Sequence, residues 1–145
     1  MAIPIAVVLE KGGAIDQGER CRCPVGEVRV TGAHAIPGAK RVLHTVAPLL
    51  DDNGQPNPRL LRKCYMGALR AAEAEGLSSL ALCALGTGFY GFPQVDGATI
   101  AIETTKAFAP EASSLQRVVF STFGDQSTEI YERVLAREFL AVGQP

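Results

Sequence analysis

"LALCALGTGFYGFP" (Leu80–Pro93) decides how this chain is read: an apolar run ends in a loop with three glycines among six positions, and a helical pattern follows the proline. Ligands in open α/β sheets sit beyond the carboxyl ends of strands. A glycine-rich turn placed there aims several backbone N–H groups at one point, and the following helix adds its positive dipole end. Glycine lets the main chain approach a ligand and adopt positive φ without a Cβ penalty. The expected guest is a phosphate or diphosphate. No Lys-Ser or Lys-Thr follows, so this is not a Walker A loop, and the third glycine comes one position early for G-x-G-x-x-G. Backbone donors would therefore carry the anion, with Phe89 and Tyr90 offering flat faces to a sugar. The bland alternative is a strand-to-helix turn with two core aromatics.

Working outward, four segments read as strands. "GEVRVTG" (Gly26–Gly32) alternates, with Val28 and Val30 on one face and Arg29 and Thr31 on the other, as near a sheet edge. "KRVLHTVA" (Lys40–Ala47) is rich in β-branched residues. "SLALCAL" (Ser79–Leu85) and "RVVFSTF" (Arg117–Phe123) are continuously apolar, as expected of strands buried on both faces.

Three helices are expected between and after them. The first has Asn57 as N-cap, Pro58 at its first position and Gly76 past its end, with Leu61, Cys64, Tyr65, Ala68, Leu69 and Ala72 on the apolar stripe. "VDGATIAIETTKAF" puts Ala98, Ala101, Ile102 and Thr105 on one stripe. "DQSTEIYERVLAREFL" starts from an Asp125 cap and buries Ile130, Val134, Leu135 and Phe139. The order from Gly26 onward, β-β-α-β-α-β-α, predicts an α/β fold with a mixed sheet covered by helices. "IPIAVVLEKGG" (Ile3–Gly13) reads as a short helix ended by two glycines, or as a strand on its β-branched content. The helix is the expectation.

A chain of 145 residues fits one domain spanning residues 1–145. Fourteen basic against fifteen acidic residues give a net charge of −1, which argues against nucleic-acid binding driven by bulk charge. No apolar run reaches the roughly 18 residues of a membrane span, and "MAIPIAVVLE" lacks the features of a signal peptide. The expected setting is intracellular (cytoplasmic, or nuclear), with Cys21, Cys23, Cys64 and Cys83 as thiols. "CRC" is not C-x-x-C and no second pair supplies zinc spacing, so neither a metal site nor a cofactor is expected, even with His34 and His44 nearby in sequence.

Three stretches together resemble the macro domains, which bind ADP-ribose: "CPVGEVRVTGAHAIPGAKRVLHTVAP" (Cys23–Pro48), "LALCALGTGFYGFP" and "RVVFSTFGDQSTEIYERVL" (Arg117–Leu135). They stand in the family's order, with a helix of suitable length in each gap, and the similarity extends from about Ala6 onward. The resemblance implies a three-layer α/β/α sandwich with a mixed central sheet and an ADP-ribose cleft at its top. Gly86, Thr87, Gly88, Phe89 and Tyr90 would wrap the diphosphate, with Tyr90 beside the distal ribose and Gly91 completing the turn. Phe123 matches the position where an aromatic packs on the adenine. His44, in "HTV", is expected to be structural.

The departure lies at the front. The family's Asn-Ala-Ala-Asn-like stretch, its adenine-recognising acid and its first glycine-rich loop have no counterpart to quote in this sequence. Pro4 falls near the position where hydrolytic members carry an acid, so no catalytic residue is carried over. The family strand normally between those resembling "KRVLHTV" and "LALCAL" is also missing. Those strands must pair directly, "IPIAVVL" must take the place, or another chain must supply it through an exposed sheet edge. The resemblance thus favours a binding module for ADP-ribose or ADP-ribosylated protein. The alternatives are a hydrolase of ADP-ribosylated proteins, O-acetyl-ADP-ribose or ADP-ribose-1''-phosphate, for which Asp96 and Asp125 are the nearest acids, and a remnant fold serving as an interaction surface.

Overall fold

The computed structural model describes Val7–Leu9 and residues 23–140. The elements are β1 (Val7–Leu9), β2 (Val28–Gly32), β3 (Arg41–Thr45), α1 (Pro58–Ala74), β4 (Ser79–Cys83), α2 (Gln94–Phe108), a 3-10 turn (Ala109–Glu111), β5 (Arg117–Ser121) and α3 (Asp125–Leu140). Pairing is mixed: β3 takes β1 in parallel on one side and β2 antiparallel on the other, while β4 and β5 form a parallel pair.

The expectation of a helix at the N-terminus is corrected over Val7–Leu9, which form a strand; the rest of that stretch lies outside the described residues. Val7, Val8 and Leu9 stand opposite Leu43, His44 and Thr45, and β1 lies between β3 and β4 without entering a ladder with β4. The β-branched content read above as a lesser signal is decisive, because the apolar residues of β3 need a neighbour that helix propensity does not supply. Val7–Leu9 therefore stand beside β3, where the missing strand was expected.

The first helix forms for the reasons its sequence suggests. The Asn57 side chain accepts from the Leu60 N–H at 3.0 Å, and Pro58 fills the first position, where no N–H is needed. At the other end Gly76, with φ +65°, donates to Glu73 O at 2.9 Å while Leu77 donates to Ala72 O at 3.0 Å. That is a Schellman closure, which consumes two of the last orphan carbonyls and turns Leu77 into the core. All six residues of the expected apolar stripe are buried.

The later elements differ in detail. Thr104, not Thr105, is fully buried on α2, and Thr105 bonds its hydroxyl to Ala101 O at 2.8 Å. On α3 the deep residues are Ile130, Tyr131 and Val134, whereas Phe139 is half exposed beneath the Lys106 ammonium. Asp125 is the first helical residue and not the cap; the preceding Gly124, at φ +85°, offers the carbonyl that accepts from Thr128. Val118, Val119 and Phe120 are only half-buried, since β5 is the outer strand of its pair. One apolar core links β3, α1, β4, α2 and α3 around Leu43, Tyr65, Leu80, Leu82 and Ile102.

Candidate functional site

The parallel pairing of β4 and β5, with Cys83 opposite Ser121, sends the chain out of both strands at the same end. The glycine loop leaves β4 there and Phe123 leaves β5, so strand topology brings the expected site residues to one edge of the sheet. Phe123 and Phe89 are both 100% exposed. Neither is a core aromatic, so the alternative of two core aromatics in the loop fails for Phe89. Tyr90 is half-buried, with its ring 6.5 Å from that of Phe89 at an interplanar angle of 60°.

The loop's own hydrogen bonds lie at its second half. Gly91 donates to Gly88 O at 3.0 Å and Phe92 donates to Gly86 O at 2.9 Å, which closes the turn. The amides of Gly86, Gly88 and Phe89 donate to no backbone carbonyl among the described residues. Positive φ is required at Gly86 (+73°) and Gly91 (+74°) but not at Gly88. A Cβ built on Gly88 would meet nothing within 4 Å, so the space over that residue is open. The N-terminus of α2 follows directly, and its cap residue Pro93 makes no side-chain capping bond, so no cap side chain offsets that positive end.

Three features hold the loop in place, and Tyr65, Gly97, Ala47 and Leu50 among them lie outside the expected set. Tyr65 on α1 accepts from the Leu85 N–H at 2.8 Å and donates to Cys83 O at 3.3 Å, satisfying the backbone where strand becomes loop. Burial holds its phenol well above the ordinary value, so the proton it donates stays on. Thr87 bonds Ala84 O at 3.1 Å and turns its methyl against Gly97, where an added Cβ would come within 2.6 Å. The segment after β3 closes the far side, with Ala47 3.4 Å from a Cβ on Gly86 and Leu50 3.2 Å from one on Gly91. A glycine inside an otherwise good helix costs about 1 kcal/mol relative to alanine, so Gly97 carried a readable signal; Tyr65 read only as core.

Asp96 and Asp125 are both exposed and lie in the first turns of α2 and α3. His44 is held in β3, with Nε2 2.9 Å from the Thr31 hydroxyl. No three His, Cys, Asp or Glu side chains gather as metal ligands among the described residues.

Comparison with known proteins gives one consistent picture. The family profile described as Macro domain matches residues 7–101. An O-acetyl-ADP-ribose deacetylase of Citrobacter rodentium is 34% identical over 122 residues, which is 84% of this chain and 67% of the relative. A protein-ADP-ribose hydrolase of Staphylococcus aureus is 34% identical over 116 residues, 79% of this chain but only 43% of the relative's length. Among solved structures, an Oceanobacillus iheyensis macrodomain variant with ADPR superposes with a TM-score of 0.74 at 30% identity, covering 81% of this chain and 62% of that one. The Trypanosoma brucei macrodomain in complex with ADP-ribose gives 0.71 at 35% identity, covering 78% and 47%. The fold is the α/β/α sandwich of these neighbours. By its matched profile, its strand order and its glycine loop alike, the chain belongs to the macro domain family.

Proposed function

We propose that this chain binds ADP-ribose, or an ADP-ribosyl group on a protein, with the diphosphate on the amides of the Gly86–Gly91 loop. Phe123 stacks on the adenine and Tyr90 flanks the distal ribose, with Phe89 at the rim. The observation that carries this reading is a pair of fully exposed aromatics, Phe89 and Phe123, beside loop amides that donate to no backbone carbonyl among the described residues. Exposing two phenylalanines to water is unfavourable for the isolated chain, and a nucleotide sugar would cover them. Relatives named for ADP-ribosyl chemistry and neighbours solved with ADP-ribose support the same ligand class. The setting is read as intracellular; among the described residues no helix is long and apolar enough to cross a membrane.

Calorimetric titration with ADP-ribose, alongside ADP and ribose-5-phosphate, tests the proposal. The expected Kd is about 1 μM or weaker, corresponding to about −8 kcal/mol. Gly88→Glu fits the fold, since its Cβ meets nothing, yet places a carboxylate where the diphosphate sits and should abolish binding. Phe123→Ala should weaken binding by about 1–3 kcal/mol, the cost of one base–aromatic stack. Unchanged affinity in Gly88→Glu would show that the cleft lies elsewhere.

The names of the curated relatives favour a second reading, hydrolysis of an ADP-ribosyl ester. Asp96, in the first turn after the loop, is the nearest acid in sequence and the residue to test as general base. Release of ADP-ribose from a modified substrate, lost in Asp96→Ala, is the expected result under this reading. No release by the unaltered chain ends it.

A further inference from the structure

A second surface lies away from the glycine loop. Between β2 and α1 runs an open groove of about 700 Å³, lined by Arg29, Arg59, Arg62, Lys63, Met66 and Arg70 and by none of the loop residues. The five cations face a single acid in the lining, Glu27. Three of the five already have exposed partners: Arg29 with Glu27 at 3.0 Å, Arg62 with Glu103 at 3.6 Å and Arg70 with Glu111 at 3.0 Å. Exposed pairs of this kind are weak and exchange readily. Arg59 and Lys63 have no carboxylate within 4 Å among the described residues.

The groove's floor is main chain and apolar. Gly67 brings α1 so near β2 that an added Cβ would stand 3.0 Å from the Val28 side chain, and the Lys63 stem lies across Gly26. Its wall is a strand edge. Among the described residues β2 pairs only with β3, and the bond from Ala33 N–H to Lys40 O fixes the parity of that ladder. Arg29 and Thr31 then bond toward β3, while the N–H and C=O groups of Val28, Val30 and Gly32 turn outward. One outward carbonyl, that of Val28, is held at 3.2 Å by the Arg29 guanidinium.

We infer that this groove docks an acidic peptide segment in extended form, added as a strand to the free edge of β2 with its carboxylates on Arg59, Lys63 and the neighbouring arginines. Two features choose a peptide over a nucleic acid. The outward N–H and C=O groups complement another peptide backbone, which a sugar-phosphate chain cannot match on both donors and acceptors. The cations lie at i, i+3, i+4 and i+11 along α1, a line of roughly 16 Å at 1.5 Å per residue, which alternate side chains of a short strand can follow. Glu27 within the lining also disfavours a continuous polyanion.

The test is fluorescence anisotropy with a labelled peptide of four Glu-Val repeats, against the same peptide N-methylated at alternate amides, a Lys-Val repeat and a ten-residue oligothymidylate. Saturable binding of the Glu-Val peptide is expected, weakened about tenfold by N-methylation, and about tenfold by Arg59→Glu or Lys63→Glu, the scale of one charge-assisted hydrogen bond. Both side chains are exposed, so these variants should keep their thermal midpoint, and ADP-ribose titration should be unchanged in them. That independence separates failure here from failure of the nucleotide site. Equal binding of the N-methylated peptide, or tighter binding of the oligonucleotide, would overturn strand addition. No binding of the Glu-Val peptide, or a dimer in sedimentation that Arg59→Glu abolishes, would remove the acidic peptide as occupant.

Discussion

Glu73 shows what a single side chain does here. Its carboxylate accepts from Ser113 N–H and Oγ, Ser114 N–H and Leu115 N–H, all between 2.7 and 3.0 Å. It thus stitches the turn before β5 to the last turn of α1. The Ser114 amide, then the Ser113 hydroxyl and the Leu115 amide, hold its carboxyl at about 2, against an ordinary value of 4.5. The folded value is the lower one, so the stabilisation is complete above about pH 4.5 and is lost as pH falls toward about 2. Glu111, held down by Arg70, acts in the same direction. Thermal midpoints measured from pH 6 to pH 2 should fall less steeply in Glu73→Gln than in the unaltered chain. Parallel curves would show that the carboxylate is not responsible. Nothing in the sequence suggested this role, because the partners lie about 40 residues away; the exposure of Phe89 and Phe123 was equally invisible, since an aromatic at a strand end looks the same whether it points in or out.

Among elements, α1 was the most legible. Its N-cap, first-turn proline, C-terminal glycine and buried stripe are local patterns, fixed by bonds within a few residues. The helix α2 was less so, because its glycine answers to a loop. Gly97→Ala would ordinarily stabilise a helix by about 1 kcal/mol. Here the new methyl would lie 2.6 Å from the Thr87 Cγ2. The expected outcome is destabilisation by about 1–3 kcal/mol in urea unfolding, the cost of overpacking, together with weaker ADP-ribose binding. Adding Thr87→Ala removes the obstructing methyl and should restore most of the loss, so the double-mutant cycle should be strongly non-additive. Additive effects would mean that helix and loop are not coupled through this contact. The N-terminal strand and the position of Asp125 were misread at this same scale, the first because helix and strand signals compete over a short apolar run.

At the scale of the whole molecule, strand order places the candidate site. Because β4 and β5 are parallel neighbours, two loops more than 30 residues apart in sequence reach one edge. A ligand that bridges them should stabilise the entire fold. At one hundred times its Kd, ADP-ribose should add about 2.7 kcal/mol, which for a chain of this size is roughly 5–10 °C in thermal midpoint. Scanning fluorimetry should register that shift in the unaltered chain and none in Gly88→Glu. A shift that persists in the variant would place the ligand outside the glycine loop.

By itself the sequence determined the three helices, α1 with its caps and stripe, the four strands from Gly26 onward, the glycine loop and, through three ordered stretches, the family. These are properties of residues close in the chain, where periodicity, capping and turn chemistry act within a few positions. Tertiary structure alone decided that Val7–Leu9 pair beside β3, that Phe89 and Phe123 face solvent, that Gly97 is shaped to Thr87, and that β2 keeps an edge unpaired among the described residues beside a row of cations. Each of those rests on which distant segments meet, and pairing between strands depends on packing against neighbours rather than on any preference of the strand itself.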